Sequence, residues 1–119
     1  MRRQLLTPFG LRTLDPRDPR YRGRCEGTQR NRDLAAHQGT VYPWLLGAFA
    51  DAHIRVLGDT DESRRVLRTW LAPLRAHVRD AGAGFISEMF DGDPPHVPRG
   101  CFAHAAAVAE VARVLFHYG

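Results

Sequence analysis

The segment from residue 84 to residue 101 concentrates side chains that can take part in chemistry. It contains three carboxylates, an imidazole and a guanidinium, on Glu88, Asp91, Asp93, His96 and Arg99. Its three prolines and three glycines exclude a continuous helix or strand. The apolar residues between the charges, Phe85, Ile86, Met89 and Phe90, argue against disorder. The sequence therefore predicts an ordered loop that presents acidic groups.

A second set of polar and aromatic side chains lies in the N-terminal part of the chain. Its members are Arg24, Glu26, Arg30, Asp33, His37, Gln38, Tyr42 and Trp44. Carboxylates, planar hydrogen-bonding groups and aromatic rings suit a sugar, because rings stack on apolar sugar faces and polar groups bind the hydroxyls. A carboxylate in such a cleft can activate water. The two sets together favour a carbohydrate site, if the fold brings them to one place.

Three helices are predicted to position these side chains. Hydrophobic spacing and terminal signals place them at residues 43–57, 62–80 and 101–118. Pro43 suits the first turn of the first helix, and Glu62 is placed to complete a capping box in the second. Residues 1–42 are predicted to form a long irregular arm, and residues 81–100 a loop.

The connections between the helices decide which segments meet. The turn at residues 58–61 is short, so the first two helices run antiparallel, and the third runs antiparallel to the second. The arm, with short extended pieces near residues 5–7 and 11–14, and the loop then lie at the same end of the bundle. We therefore expect both polar sets to face one site.

The predicted helices differ in their polar faces. The second has one apolar stripe and many arginines, which is typical of an outer, half-solvated helix. The first and third are apolar nearly all round, so each must be buried on more than one side. The pattern predicts an all-α fold with inner, outer and inner helices. One outer helix cannot cover two inner ones, so we expect a partner chain or self-association.

Composition limits the classes of partner. The chain has 119 residues, enough for one domain, and all 17 of its basic residues are arginines. The formal net charge of +4 is compatible with a polyanion partner. However, the arginines between Arg12 and Arg32 alternate with acidic residues, and no helix shows a basic stripe. We therefore expect no nucleic-acid partner.

Cysteine use and hydropathy indicate a cytoplasmic protein. Cys25 and Cys101 make no C-x-x-C pair, no signal-like segment is visible at the N-terminus, and no apolar run could span a bilayer. The order Asp93, His96, Cys101, His104 fits no standard zinc spacing. No metal, no other cofactor and no membrane contact are expected.

Several stretches of the chain together resemble one family. They are Leu6–Leu14 (LTPFGLRTL), Asp18–Gly23 (DPRYRG), His37–Trp44 (HQGTVYPW), Ser87–Asp93 (SEMFDGD) and Pro98–Cys101 (PRGC). In order, and over essentially the whole chain, they resemble the C-terminal amylo-α-1,6-glucosidase domain of bacterial and archaeal glycogen debranching enzymes.

The resemblance implies both a fold and a reaction. The fold would be an (α/α) toroid of six helical hairpins, of which residues 1–119 would supply the last three helices and their long active-site loops. The reaction would be inverting hydrolysis of α-1,6 linkages at glycogen branch stubs, similar to that of glucoamylase-like enzymes. The family's general base maps onto Glu88, and its general acid would lie upstream of Met1.

The resemblance also implies candidate contacts to an α-glucan. Besides the catalytic candidate Glu88, the substrate-binding candidates are His37, Gln38, Trp44, Asp91, Arg99 and His104. Structural alternatives stay open: Asp91 can order the loop, Arg99 can clamp it through a carboxylate, and Trp44 can belong to the core. The family usually carries Gln-Ala-Trp-Ser where this chain has His104-Ala105-Ala106-Ala107. That departure weakens the expected sugar contacts.

Two other functions compete with hydrolysis. The first is a catalytically silent remnant that binds glucan, or completes a fold with a partner chain that supplies the missing acid. The second is an arginine-rich polyanion binder, whose affinity would fall steeply with salt.

Overall fold

The computed structural model describes residues 2–81 and 83–119. Met1 and Gly82, which fall within the predicted arm and loop, lie outside the described residues. The helices are α1 (Arg2–Leu5), α2 (Gln29–His37), α3 (Leu45–Leu57), α4 (Asp61–Asp80) and α5 (Ala105–Tyr118). The strands are β1 (Leu6–Thr7), β2 (Gly10–Arg12), β3 (Val41–Tyr42), β4 (Met89–Phe90) and β5 (Pro98–Arg99).

The five strands form one antiparallel sheet in the order β1-β2-β3-β4-β5. The prediction of an all-α fold built from the last helices of a toroid is therefore wrong: the described residues form a mixed α/β unit. Each strand is two or three residues long, too short to display the alternation of polar and apolar residues by which strands are detected. The pairs β1–β2 and β4–β5 are local hairpins, and β3 joins them into one sheet by pairing with distant segments.

The sheet joins the arm to the loop, as the helix connections predicted. Leu11 in the arm pairs with Tyr42, and Val41 pairs with Phe90 in the loop. Gly10, in β2, allows this close approach, because a Cβ there would lie 2.5 Å from the carbonyl oxygen of Tyr42. The prediction that arm and loop meet is confirmed, although the arm is more regular than expected.

The three long helices were predicted in nearly the right places. α4 is capped by Thr60, whose hydroxyl accepts a hydrogen bond from the Ser63 amide at 3.1 Å, while the Ser63 hydroxyl accepts one from the Thr60 amide at 3.0 Å. Ser63, not Glu62, thus completes the capping box. α5 begins at Ala105, later than expected, because His104 serves as its N-cap.

The hydrophobic core lies between these helices and the sheet. Its fully or almost fully buried members come from α3, α4, α5, the loop and β3; among them are Leu46, Leu67, Leu71, Leu74, Phe90, Val41, Val111 and Val114. Phe90 is completely buried and stacks on Phe9 of the arm with ring centroids 4.6 Å apart. Burial of such side chains is the main favourable term in folding. The core therefore fixes the loop against the helices.

Candidate active site

Glu88 stands immediately before β4. Its amide donates to the carbonyl oxygen of Cys101 at 2.7 Å, and its carboxylate oxygen Oε2 accepts from the Cys101 amide at 3.0 Å. Within residues 2–81 and 83–119, no cation lies within salt-bridge distance of this carboxylate. The backbone thus orients Glu88, and its carboxylate can still accept a hydrogen bond from a further donor.

A cavity of about 410 Å³ lies near Glu88, which is not itself one of its lining residues. Its walls are formed by Cys25, Gln29, Arg32, Asp33, Ala36, Met89, Arg99 and Gly100. Gly100, one of the lining residues, also approaches Glu88, because a Cβ on Gly100 would lie only 2.6 Å from Oε2 of Glu88. A glycine at this position therefore leaves room for the Glu88 carboxylate.

Asp91 and Arg99 form the best-defined ion pair of the loop. The guanidinium donates twice to the carboxylate, from Nε at 3.0 Å and from Nη2 at 2.8 Å. The Cys25 amide donates to the same carboxylate at 2.9 Å. These bonds with Asp91 raise the pKa of Arg99 above its already high ordinary value. The clamp that was one of the open alternatives for Arg99 is present, and it holds the guanidinium at the cavity wall.

Asp93 and His96 order the turn that follows Asp91. The Tyr21 hydroxyl donates to Asp93 at 3.0 Å, and the His96 amide donates to the Asp93 carbonyl at 2.9 Å. His96 adopts a positive φ of 60° and places its Nδ1 2.9 Å from the Asp91 carbonyl oxygen. Asp91 and Asp93 are therefore both engaged in bonds within the protein, and of the three loop acids Glu88 alone keeps a carboxylate without a side-chain partner among the described residues.

Tyr42 and Cys25 show the electrostatic character of the region near Glu88. Burial, and then the negative charge of Glu88, raise the pKa of Tyr42. Burial, and then the charge of Asp91, raise the pKa of the Cys25 thiol. Both groups therefore stay protonated at neutral pH. The thiol is not an activated nucleophile, so a carboxylate is the better candidate for chemistry here.

The remaining predicted contacts do not line this cavity. His37 is the exposed last residue of α2, and Trp44 is 42% exposed at the start of α3. Gln38 lines a separate cavity of about 560 Å³ next to Tyr21. His104 accepts a hydrogen bond from the Ala107 amide at 3.4 Å and lines a third cavity of about 360 Å³. Of the predicted substrate contacts, Arg99 lines the cavity beside Glu88.

Helix α2 supplies the wall that the sequence interpretation missed. Gln29 donates to Asp33 at 2.6 Å, while Arg32 donates to Gln29 at 2.8 Å, so these three side chains form one network. Asp33 is one of the polar residues that the sequence analysis assigns to the site, whereas Gln29 and Arg32 are not. The available signal was Thr28, a good N-cap residue whose hydroxyl accepts from the Asn31 amide at 3.2 Å.

The helices and the potential metal-ligating side chains of residues 2–81 and 83–119 bear on membrane and metal binding. No helix there combines the length and hydropathy needed to cross a bilayer. Across the same residues, no group of three or more histidine, cysteine or acidic side chains is arranged to hold a metal ion.

A backbone-oriented carboxylate near a cavity that is lined by a fixed guanidinium makes a candidate hydrolase site. The sequence model of the family described as "Amylo-alpha-1,6-glucosidase" matches residues 1–113. The chain therefore belongs to the amylo-α-1,6-glucosidase family, which confirms the resemblance found in the sequence motifs.

Among curated proteins, human cytochrome P450 2W1 is 39% identical over 71 residues. That match covers 58% of this chain and 14% of the cytochrome. The chain thus spans only a small part of the curated relative, whereas the family match includes every residue of the candidate site. The family assignment rests on the match of the family model to residues 1–113.

Proposed function

We propose that this chain contributes the water-activating carboxylate to inverting hydrolysis of α-1,6-glucosidic branch linkages in glycogen-like α-glucans. Family membership supports a debranching-type domain. The observation that carries the catalytic assignment is the Glu88 carboxylate, which the Cys101 amide orients and which lies next to Gly100, a lining residue of the cavity. In this proposal Glu88 takes a proton from water as the water oxygen bonds to the anomeric carbon. The glycosidic bond breaks, and its oxygen receives a proton from a general acid.

Inversion requires that general acid on the opposite side of the bond, with the carboxyl groups roughly 6.5–9.5 Å apart. Asp91 is held by Arg99 and Asp93 by Tyr21, so neither is suited to the role. The resemblance assigns the acid to a part of the family's polypeptide that precedes these residues. Asp33 lines the cavity, is exposed and accepts from the neutral Gln29 side chain rather than from an arginine, so it is the alternative within the chain.

The proposed contacts to the glucan follow from the positions of the side chains. Arg99, fixed by Asp91, is suited to bind sugar hydroxyls at the cavity. Since His37, Gln38, Trp44 and His104 do not line the cavity, we assign them to glucose units farther along the branched chain. Because the substrate is a polymer, contacts outside the cavity still contribute to binding.

The experiment compares Glu88→Gln with Glu62→Gln in the enzyme that carries this chain. Glutamine keeps the size and hydrogen-bonding reach of Glu88 but cannot accept the proton. Glucose release from an α-1,6-linked glucosyl stub should fall by about 10²–10⁴-fold with little change in KM. Glu62, exposed on α4, provides the matched control and should retain full activity. Equal activity of both variants would refute the role of Glu88.

The variant Asp33→Asn tests whether Asp33 is the general acid. If the acid lies elsewhere, this variant keeps most of the turnover, and the isolated 119-residue chain releases no glucose. If Asp33 is the acid, the variant loses turnover as severely as Glu88→Gln.

A glucan-binding chain without hydrolytic activity is the second candidate. The internal bonds of Asp91 and Asp93 favour it, as do the alanines that follow His104 in place of the family's larger side chains. Such a chain would migrate more slowly in a native gel that contains glycogen than in one without it. It would release no glucose even when the rest of the enzyme is supplied.

A further inference from the structure

The ladder between β4 and β5 changes register next to Glu88. Met89 pairs with Arg99, so continued pairing would set Glu88 opposite Gly100. The Glu88 amide instead donates to the carbonyl oxygen of Cys101 at 2.7 Å. One side of the ladder therefore has two residues, Gly100 and Cys101, where the other side has only Glu88. This is the arrangement of a β-bulge, in which one strand carries an extra residue.

The backbone of Gly100 has the conformation that such a bulge requires. Its φ of 67° lies in the left-handed region, which glycine adopts without the steric cost that a Cβ brings to other residues. Bulges with a left-handed glycine as their first residue bend the strand, and bulges in general are frequent next to active sites, where they re-aim a side chain. The bulge at Gly100 therefore accounts for the direction of the Glu88 carboxylate.

The changed register also gives the Cys101 amide a different acceptor. In a regular antiparallel ladder, such an amide donates to a backbone carbonyl of the neighbouring strand. Here the Cys101 amide donates to Oε2 of Glu88 at 3.0 Å. The bulge thus directs a backbone donor to a side chain, and the bond between amide and carboxylate holds the carboxylate in one orientation.

A side chain at position 100 would act on Glu88 more than on the fold. The nearest atoms to a Cβ there would be Oε2 of Glu88 at 2.6 Å, Cε of Met89 at 3.1 Å and Cβ of Glu88 at 3.3 Å. The first two are the free ends of flexible side chains, which move more readily than backbone. An added methyl group therefore displaces the carboxylate and leaves the strands in place.

We propose that Gly100 is a positioning residue, which acts through Glu88 by keeping its carboxylate against the Cys101 amide. The inference rests on the proposed function, in which Glu88 activates water. A displacement of about 1 Å can reduce turnover by about 10²-fold. Binding of the glucan also involves contacts away from this carboxylate. The expected effect of a side chain at position 100 is thus a lower kcat with little change in KM.

Two substitutions at position 100 separate displacement of the carboxylate from backbone strain. Alanine adds the Cβ and disfavours the positive φ, whereas asparagine adds the Cβ but tolerates the left-handed conformation. In the enzyme that carries this chain, Gly100→Ala and Gly100→Asn should both lower kcat by about 10²-fold. Gly84→Ala and Gly84→Asn are the matched controls, since Gly84 lies in the same loop with a φ of 92° and no described atom within 4 Å of a Cβ placed there. Both controls should keep full activity.

Selective labelling tests the position of the carboxylate without any turnover. The chain contains two cysteines, Cys25 and Cys101, so ¹⁵N-cysteine gives two amide resonances. The Cys101 resonance should shift with pH as Glu88 takes up a proton, and Glu88→Gln should abolish that shift. Gly100→Ala should abolish it as well, whereas Gly84→Ala should preserve it. The Cys25 amide donates to a different carboxylate, so its resonance is the internal control and should be the same in all four proteins.

Three results would overturn the proposal. They are a Gly100→Asn variant with full activity, an equal loss of kcat in the Gly84 variants, and a Cys101 resonance that still follows pH in Gly100→Ala. Full activity of Glu88→Gln would instead refute the proposed function, and the Cys101 resonance would still decide whether Gly100 positions the carboxylate.

Discussion

At the scale of single residues, the Asp91 carboxylate is the most demanding group of the loop, because only 3% of the residue's surface is exposed. Burying a charge costs free energy unless hydrogen bonds and an opposite charge replace water. Arg99 provides two such bonds and the Cys25 amide a third. Because Cys25 belongs to the arm and Arg99 to β5, one buried carboxylate ties three segments together. Its role is to hold the cavity wall beside Glu88.

Arg99→Ala should therefore destabilise the protein markedly. The substitution leaves the Asp91 carboxylate buried with one backbone donor. We expect a loss near the low end of the about 3–5 kcal/mol typical of breaking a buried pair, because Arg99 is itself partly exposed. Urea unfolding measures the change. Arg17→Ala breaks an exposed pair with Asp15 and should have little effect. Equal midpoints for the two variants would contradict this account.

At the scale of elements, the long helices are encoded locally. α4 has an N-cap, acidic residues in its first turn and a clear apolar stripe, so its bounds were predictable to within a residue. α2 escaped detection because Leu34, Ala35 and Ala36 are its only apolar residues, too few to produce helical periodicity. Hydrogen bonds, rather than an apolar face, hold three of its side chains, those of Gln29, Arg32 and Asp33.

Thr60→Ala tests how much the capping box at the start of α4 contributes to stability. The change removes the hydroxyl that accepts from the Ser63 amide and should cost about 1 kcal/mol. Thr69→Ala, at an exposed position within the same helix, is the matched control; alanine is the better helix former, so stability should hold or rise. Chemical denaturation of both variants gives the comparison. A Thr60 variant as stable as the Thr69 variant would show that the capping box contributes nothing.

The sheet was not predictable in the same way. Val41, Tyr42, Met89 and Phe90 have the apolar character of strands, but each pair is too short to be told from a loop. The sequence did predict that arm and loop meet, because the short turn at 58–61 fixes the direction of the helices. It therefore placed Glu88 near the arm correctly. It left open whether Arg99 contacts substrate or clamps the loop through a carboxylate, and the pairing of β4 with β5 places the guanidinium on Asp91.

At the scale of the whole molecule, Phe90 connects the sheet to the helices. It pairs with Val41 across the sheet, stacks on Phe9 of the arm and contacts His77 of α4 edge to face with ring centroids 5.0 Å apart. Burial among these rings lowers the pKa of His77, so the imidazole is neutral at pH 7. Arm, loop and helices thus share one core, and the candidate site depends on all three.

Phe90→Ala should therefore weaken the entire unit rather than the loop alone. A fully buried phenylalanine contributes to every segment around it, and its truncation typically costs about 3–5 kcal/mol. Thermal unfolding followed by helix circular dichroism and by tryptophan fluorescence should shift together to lower temperature. Phe85→Ala, at a position 46% exposed in the same loop, is the control and should leave the transition nearly unchanged. Suppose that Phe90→Ala removed only the hydrogen-exchange protection of the arm and loop amides, while the helices melted as before. The sheet and the helices would then be separate folding units, and the shared core would not be what positions Glu88.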